Sequence, residues 1–154
     1  MRSAAATGGL DDPLLIDELR TKILPRRGIN ARAEEILITV GAQQSLYLLA
    51  ELLVDASVAV AMEEPGYPEM RHLVQRRGAP IVHQPIDGDG MLVDGALDDS
   101  RIVYVTPSHQ AATGVTMSLE RRRALLEKAA QRDMLIVEDD FDGEYTFRGQ
   151  PQPP

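Results

Sequence analysis

Apolar residues arrive along this chain in short clusters whose spacing alternates between a helical and a strand-like period. Ile16, Leu19 and Ile23 recur at helical spacing behind Asp12-Pro13. That pair reads as an N-cap followed by proline at the first helical position, so a helix is predicted that stops at Pro25. Ile36-Leu37-Ile38-Thr39 is a short β-type run broken by Gly41, and the Leu-rich stretch from Gln43 to Val54 predicts a helix. Val58 to Met62 is a continuous apolar run, the pattern of a strand buried on both faces. A helix from Tyr67 to Arg77 closes at Gly78, and Ile81-Val82 begins another strand. After the turn Asp87-Gly88-Asp89-Gly90 come a strand at Ile102 to Val105, a helix capped by Ser118 and running to about Arg132, and a strand at Leu135-Ile136-Val137 that ends in acids. Strands and helices that alternate in this way predict an α/β domain with a mostly parallel sheet. Residues 1–10, small and without periodicity, read as a disordered lead-in.

In such sheets ligands bind beyond the carboxyl ends of the strands, which directs attention to four short segments. Gly41-Ala42-Gln43-Gln44 follows a strand and opens a helix. A glycine there lets backbone approach an anion, and amides at a helix N-terminus favour phosphate; a plain strand-to-helix turn would need the same glycine. Glu63-Glu64-Pro65-Gly66-Tyr67-Pro68 fixes a rigid turn that would hold the Tyr67 ring at a strand end, either to stack on a flat ligand or to pack on the core edge. Within Thr106-Pro107-Ser108-His109-Gln110, a polar loop directly after a strand, His109 reads either as a ligand or acid-base group or, as one histidine in a loop more often is, as a hydrogen-bonding surface residue. In Glu138-Asp139-Asp140-Phe141-Asp142 a carboxylate projecting from the strand end is suited to a protonated ring nitrogen.

Composition narrows the classes without choosing among them. The 154 residues are 44% hydrophobic and 26% charged, ordinary for a globular domain. A net charge of −8 argues against a general nucleic-acid surface, which needs clustered cations. The basic run Arg121-Arg122-Arg123 is read as a solvated helix face. Cysteine is absent, so there is no thiolate metal site, and neither acidic cluster has the ligand positions of a calcium loop. Met1 to Leu10 lacks the apolar stretch of a secretory signal, and Leu46 to Val54 is broken by Glu51 and too short to span a bilayer. A soluble, cytoplasmic protein with no membrane contact is expected.

Taken in order, "ILITVGAQQSLYLLAELL", "EEPGYPEM", "YVTPSHQAATGVTMSLERRRALLEKA" and "IVEDDFDGEY", preceded by "DDPLLIDELRTKILPRRGI", resemble the aminotransferase-like domain of the MocR-type regulators of the GntR family. These are fold type I, class I/II proteins that depend on pyridoxal 5′-phosphate (PLP). The resemblance spans residues 11–150, with 151–154 as a truncated tail. It implies part of a three-layer α/β/α large domain with a mostly parallel sheet. By the same resemblance Gly41, Ala42 and Gln43 would cradle the PLP phosphate, Tyr67 would stack on the pyridine ring and Asp139 would pair with its nitrogen. Phe141 stands where the family usually has a tyrosine that donates to the ring hydroxyl, and Ala111-Ala112 replaces a common proline before Thr113-Gly114.

The family's Schiff-base lysine follows a later strand, whereas this chain has only Lys22 and Lys128, both in predicted helices. The expectation is therefore a fragment, not catalytic on its own, of a regulator that senses an amino-acid-like effector. The full-length family would supply a homodimer, and the DNA-binding domain would lie outside this chain. A segment of a true class I/II aminotransferase and a non-functional remnant are the alternatives.

Overall fold

The computed structural model describes residues 11–143, so the lead-in 1–10, the tail 151–154 and residues 144–150 lie outside the described residues. The described part divides into two compact units, residues 11–40 and 41–143.

In the first unit, α1 (Pro13–Glu18) begins as the sequence predicts, with Asp12 Oδ1 accepting the Leu14 N–H at 2.8 Å. The winding does not stop at Pro25. It continues as a π-turn over Leu19–Ile23 and a 3-10 turn over Leu24–Arg27, closing at Gly28 with φ 75°. Pro25 sits in the first turn of that 3-10 segment, where its missing N–H leaves no bond unmade. The strand expected at Ile36-Leu37-Ile38-Thr39 is not formed. A 3-10 turn at Ala33–Glu35 leads into irregular backbone, and the Ile38 N–H donates to Asp11 Oδ2 at 2.8 Å rather than to a neighbouring strand. Leu37 is 69% exposed. A β-branched run fits a strand only where a partner lies alongside.

The second unit carries the sheet. Helix α2 (Gly41–Leu53) leads to β1 (Val60–Glu64), then α3 (Pro68–Arg76), β2 (Ile81–Asp87), β3 (Gly90–Met91), β4 (Ile102–Val105), α4 (Leu119–Arg132) and β5 (Leu135–Glu138). The strand order is β3-β2-β1-β4-β5. β1, β2, β4 and β5 run parallel, with Val60 level with Ile81 and Ile102, and Ile102 level with Leu135. Only β3 is antiparallel, as the return arm of the Asp87–Gly90 hairpin. The apolar stretch Val60-Ala61-Met62 of β1 and the whole of β4 follow from covering both faces, although β1 starts two residues later than the predicted run and extends through Glu63 and Glu64. On one face Met62, Tyr104 and Val60 pack with Leu46 and Ala50 of α2 and Met70 and Val74 of α3. On the other, Ala61, Val103 and Val105 pack with Leu125 and Ala129 of α4. Each large side chain removed from water here contributes about 1.5–3 kcal/mol. The result is the three-layer α/β/α arrangement expected.

Capping residues end the elements where the sequence places them. Ser118 Oγ accepts the Arg121 N–H at the start of α4, and Gly78, at φ 72°, follows α3. The basic run is not a solvated face. Arg122 is 7% exposed, with Nε donating to Met117 O and its guanidinium 3.6 Å from Glu138. Arg121 donates to the Met91 carbonyl at 2.8 Å and to Asp87 Oδ2 at 2.9 Å, tying α4 to the hairpin. A guanidinium satisfies several acceptors at once, so two of the three arginines serve packing and only Arg123 faces water.

Candidate functional site

Because the four long strands are parallel, their carboxyl ends lie along one edge of the sheet. That edge carries Glu63 and Glu64 at the end of β1 and Tyr67 beyond it, Thr106 to Gln110 after β4 and Asp139 after β5.

Gly41 is the first residue of α2, at φ 78°, and no heavy atom lies within 4 Å of the place a Cβ would occupy. Outside its chain neighbours and its own helix, the Cβ position of Gly41 therefore faces open space, and Gly41, Ala42 and Gln43 are all exposed. From that turn Gln43 Nε2 donates to Tyr67 Oη at 2.5 Å. The Tyr67 ring packs at the margin of the core cluster that also contains Tyr104. Its turn is tight, since a Cβ on Gly66 would stand 2.3 Å from the Glu63 carbonyl oxygen. Tyr67 is thus held at its hydroxyl by α2 and at its backbone by the turn.

Tyr104 is the residue that sequence reasoning missed. It lies in the middle of an apolar strand and reads as core, yet its hydroxyl donates to Asp139 Oδ2 at 2.7 Å. Burial first, and then that bond, hold the Tyr104 hydroxyl protonated well above its ordinary range. A committed donor fixes the half-buried Asp139 carboxylate in place and leaves Oδ1 to accept from something else. Phe141 is 60% exposed and offers no polar atom.

Two further groups accompany these residues. His109 is not a lone surface histidine: its Nδ1 lies 2.8 Å from Asp142 Oδ1, and both side chains are more than two-thirds buried, at 27% and 29% exposed. Glu63 is 1% exposed, and its Oε2 accepts from Thr106 Oγ1 at 2.6 Å, Thr106 N at 3.3 Å and Gln110 Nε2 at 3.2 Å. Burial pushes the Glu63 carboxyl up, and the three donors offset only part of that effect. Closer to solvent, Glu64 Oε2 takes Arg71 at 2.5 Å and His83 at 2.9 Å, which holds its carboxyl below the usual range. Among the described residues no group of three or more His, Cys, Asp or Glu is arranged to hold a metal ion, and no helix is long and apolar enough to cross a membrane.

The structure therefore brings Gln43 to Tyr67 and fixes Asp139 through Tyr104. This combination fits a flat, anionic, nitrogen-containing ring such as PLP: open space at a glycine-led helix start, an aromatic face and an oriented carboxylate. Lys22 pairs with Glu18 at 2.7 Å in the first unit, and Lys128, on α4, pairs with Asp98 at 2.5 Å.

Comparison with known proteins gives a consistent result. Residues 3–148 match the family model described as aminotransferase class I and II. The chain is 42% identical over 137 residues to the HTH-type transcriptional regulator TauR of Rhodobacter capsulatus, covering 89% of this chain and 28% of that protein. It is 40% identical over 128 residues to the probable rhizopine catabolism regulatory protein MocR of Rhizobium meliloti, covering 82% of this chain and 26% of that protein. Among solved structures, the kynurenine aminotransferase of Pyrococcus horikoshii, in complex with PMP, superposes with a TM-score of 0.78 at 30% identity over 90% of this chain and 36% of that one. The chain thus spans less than a third of the length of these regulators.

Proposed function

From the chain's membership of the aminotransferase class I and II family, we propose that it is the PLP-binding part of a MocR-type transcriptional regulator that senses an amino-acid-like effector. The likeness to TauR, 42% across 89% of the chain, is the observation that carries the regulator reading. Residues 11–150 supply this part of the large domain, which works in the cytoplasm as a homodimer with its DNA-binding domain elsewhere in the protein.

In this reading Gly41, Ala42 and Gln43 hold the phosphate. The open space at Gly41 supports the assignment, because backbone amides at a helix start complement an anion. Tyr67 stacks on the ring, with Gln43 fixing its hydroxyl. Asp139 accepts the ring N–H and keeps that proton in place, while Tyr104 prevents the carboxylate from turning away. Bound in this way, the ring supplies an electron sink. Phe141 contributes surface and no proton. Lys22 pairs with Glu18 and Lys128 with Asp98; in this reading Gly41, Ala42, Gln43, Tyr67 and Asp139 hold the cofactor without a covalent bond and carry out no turnover by themselves.

Titration of the chain with PLP, followed by absorbance and by calorimetry, tests the proposal. A Lys22→Ala/Lys128→Ala double variant should bind as the native chain does. Asp139→Ala should weaken binding by tenfold or more through loss of a charge-assisted bond. An absorbance change abolished by one lysine substitution would refute non-covalent binding, and an unchanged affinity for Asp139→Ala would refute the site. The likeness to kynurenine aminotransferase supports a second reading, a segment of an aminotransferase. A winged-helix reading frame upstream in the gene favours the regulator, and its absence beside a downstream substrate-carboxylate arginine favours the enzyme.

A further inference from the structure

Gln110 is 2% exposed, and its amide is the meeting point of two loops that share no sequence neighbourhood. Nε2 donates to Glu63 Oε2 at 3.2 Å and to the Pro65 carbonyl at 2.8 Å. Oε1 accepts from Ala112 N at 2.9 Å, Thr113 N at 2.7 Å and Thr113 Oγ1 at 2.9 Å. These partners dictate which end of the amide is which. A carboxylate and a carbonyl face the nitrogen, and three donors face the oxygen. Both N–H bonds are used and the oxygen is saturated, a demand that glutamate, methionine or histidine cannot meet.

On one side the amide pins the carbonyl of Pro65 in the tight turn that carries Tyr67. On the other it closes the loop 110–114, whose backbone adds Gly114 N to Gln110 O at 2.8 Å. Buried Glu63 anchors the nitrogen and also takes both donors of Thr106, so the loop after β4 is fastened to the end of β1 at two points. Gln43 then fixes the far end of Tyr67.

From this geometry we infer that Gln110 is a positioning residue. Its amide sets the spacing between the Tyr67 turn and the loop after β4, and through that spacing the plane in which the Tyr67 ring is presented. The link to cofactor orientation rests on the PLP reading above; the link between the two loops does not.

The 154-residue chain itself tests this in two arms. Without ligand, amide hydrogen exchange is compared in the native chain, Gln110→Met and Gln110→Glu. In Gln110→Met the Ala112 and Thr113 amides should exchange faster by about tenfold, on the scale of one lost hydrogen bond at each, and the Arg71 amide, which starts the helix after Tyr67 by donating to the Tyr67 carbonyl, should exchange faster too because its turn is no longer pinned at Pro65. Gln110→Glu keeps the acceptor that faces Ala112 and Thr113, while its one proton is shared with buried Glu63 and none is left for the Pro65 carbonyl, so protection should persist at Ala112 and Thr113 and fall at Arg71. A residue that merely fills space would not produce that split. Equal exchange at all three amides in both variants would overturn the inference. If either variant fails to fold, the native chain still decides: Ala112, Thr113 and Arg71 should report one shared opening free energy, and distinct values would refute the coupling.

The second arm uses PLP as the probe. The induced circular dichroism per bound PLP should drop by half or more in Gln110→Met, with a smaller loss of affinity. Unchanged dichroism at full occupancy would refute the effect on ring orientation. Absence of PLP binding by the native chain would instead refute the cofactor reading, while the exchange arm still judges Gln110.

Discussion

Glu63→Gln should leave the protein unaffected or more stable at neutral pH, although it alters a carboxylate that accepts three hydrogen bonds. Glu63 is 1% exposed, and burial outweighs the help from Thr106 and Gln110, raising its carboxyl from the ordinary value of 4.5. A group whose folded pKa is raised binds its proton more tightly in the folded state. Its favourable contribution is fully present below the unfolded value and is lost as pH rises through the folded value. Between those two values the native protein should lose stability relative to Glu63→Gln at up to about 1.4 kcal/mol per pH unit. Below 4.5 a protonated glutamic acid and a glutamine differ little. The assay is urea unfolding followed by far-UV circular dichroism, in steps from pH 4 to pH 8, for both proteins. Their difference in midpoint should be small at the acid end, grow in the variant's favour through the window above 4.5, and then level off. The reverse trend, a variant that becomes worse as pH rises, would show that the three donors outweigh burial.

Other substitutions test the site directly. Tyr104→Phe keeps the packing and removes the donor to Asp139 Oδ2; it should cost about 1–3 kcal/mol in denaturant unfolding and weaken PLP binding in calorimetry. Gly41→Ala meets no atom within 4 Å but must adopt φ 78°, so it should cost about 1–2 kcal/mol and weaken binding of inorganic phosphate as well as PLP. Phe141→Tyr should tighten PLP or shift the pH at which its absorbance titrates, because it restores a donor; identical affinities and titrations would count against placing Phe141 at the ring.

Sequence and structure part company at identifiable places. The parallel strands were legible because both of their faces are covered, which makes β4 and the first three residues of β1 apolar throughout. The starts of α1 and α4 were legible because Asp12 and Ser118 act through their own local backbone. What was hidden depends on partners far away in the chain. Tyr104 looks like any core aromatic until Asp139, 35 residues on, meets its hydroxyl. Gln110 and Glu63 are 47 residues apart, and neither has a periodicity that marks it. Arg121 and Arg122 look solvated because a run of charge says nothing about the hairpin carbonyls that meet Arg121 or the Glu138 carboxylate beside Arg122. Ile36 to Thr39 erred in the opposite direction: its propensity is strand-like, but in the structure it joins no strand. For the residues proposed to hold the cofactor, the order of motifs made the set recognisable, while the polar contacts of Tyr67 and Asp139 were beyond any local rule.

The joint between the β2–β3 hairpin and the start of α4 also bears on the order in which the protein folds. Asp89 O accepts the Ser118 N–H, Arg121 reaches Asp87 across 34 residues, and a Cβ on Gly90 would stand only 3.0 Å from Met117 Cα. Between these partners in sequence lies β4, which must travel past β2 to reach its place beside β1. Closing a loop of this length costs entropy before any contact compensates for it, so the joint forms after β4 is seated. In kinetic terms it acts as a latch. Removing it with Arg121→Ala should speed unfolding and leave the refolding rate nearly unchanged, which stopped-flow chevrons would show, whereas a slowed refolding limb would place the joint in the nucleus.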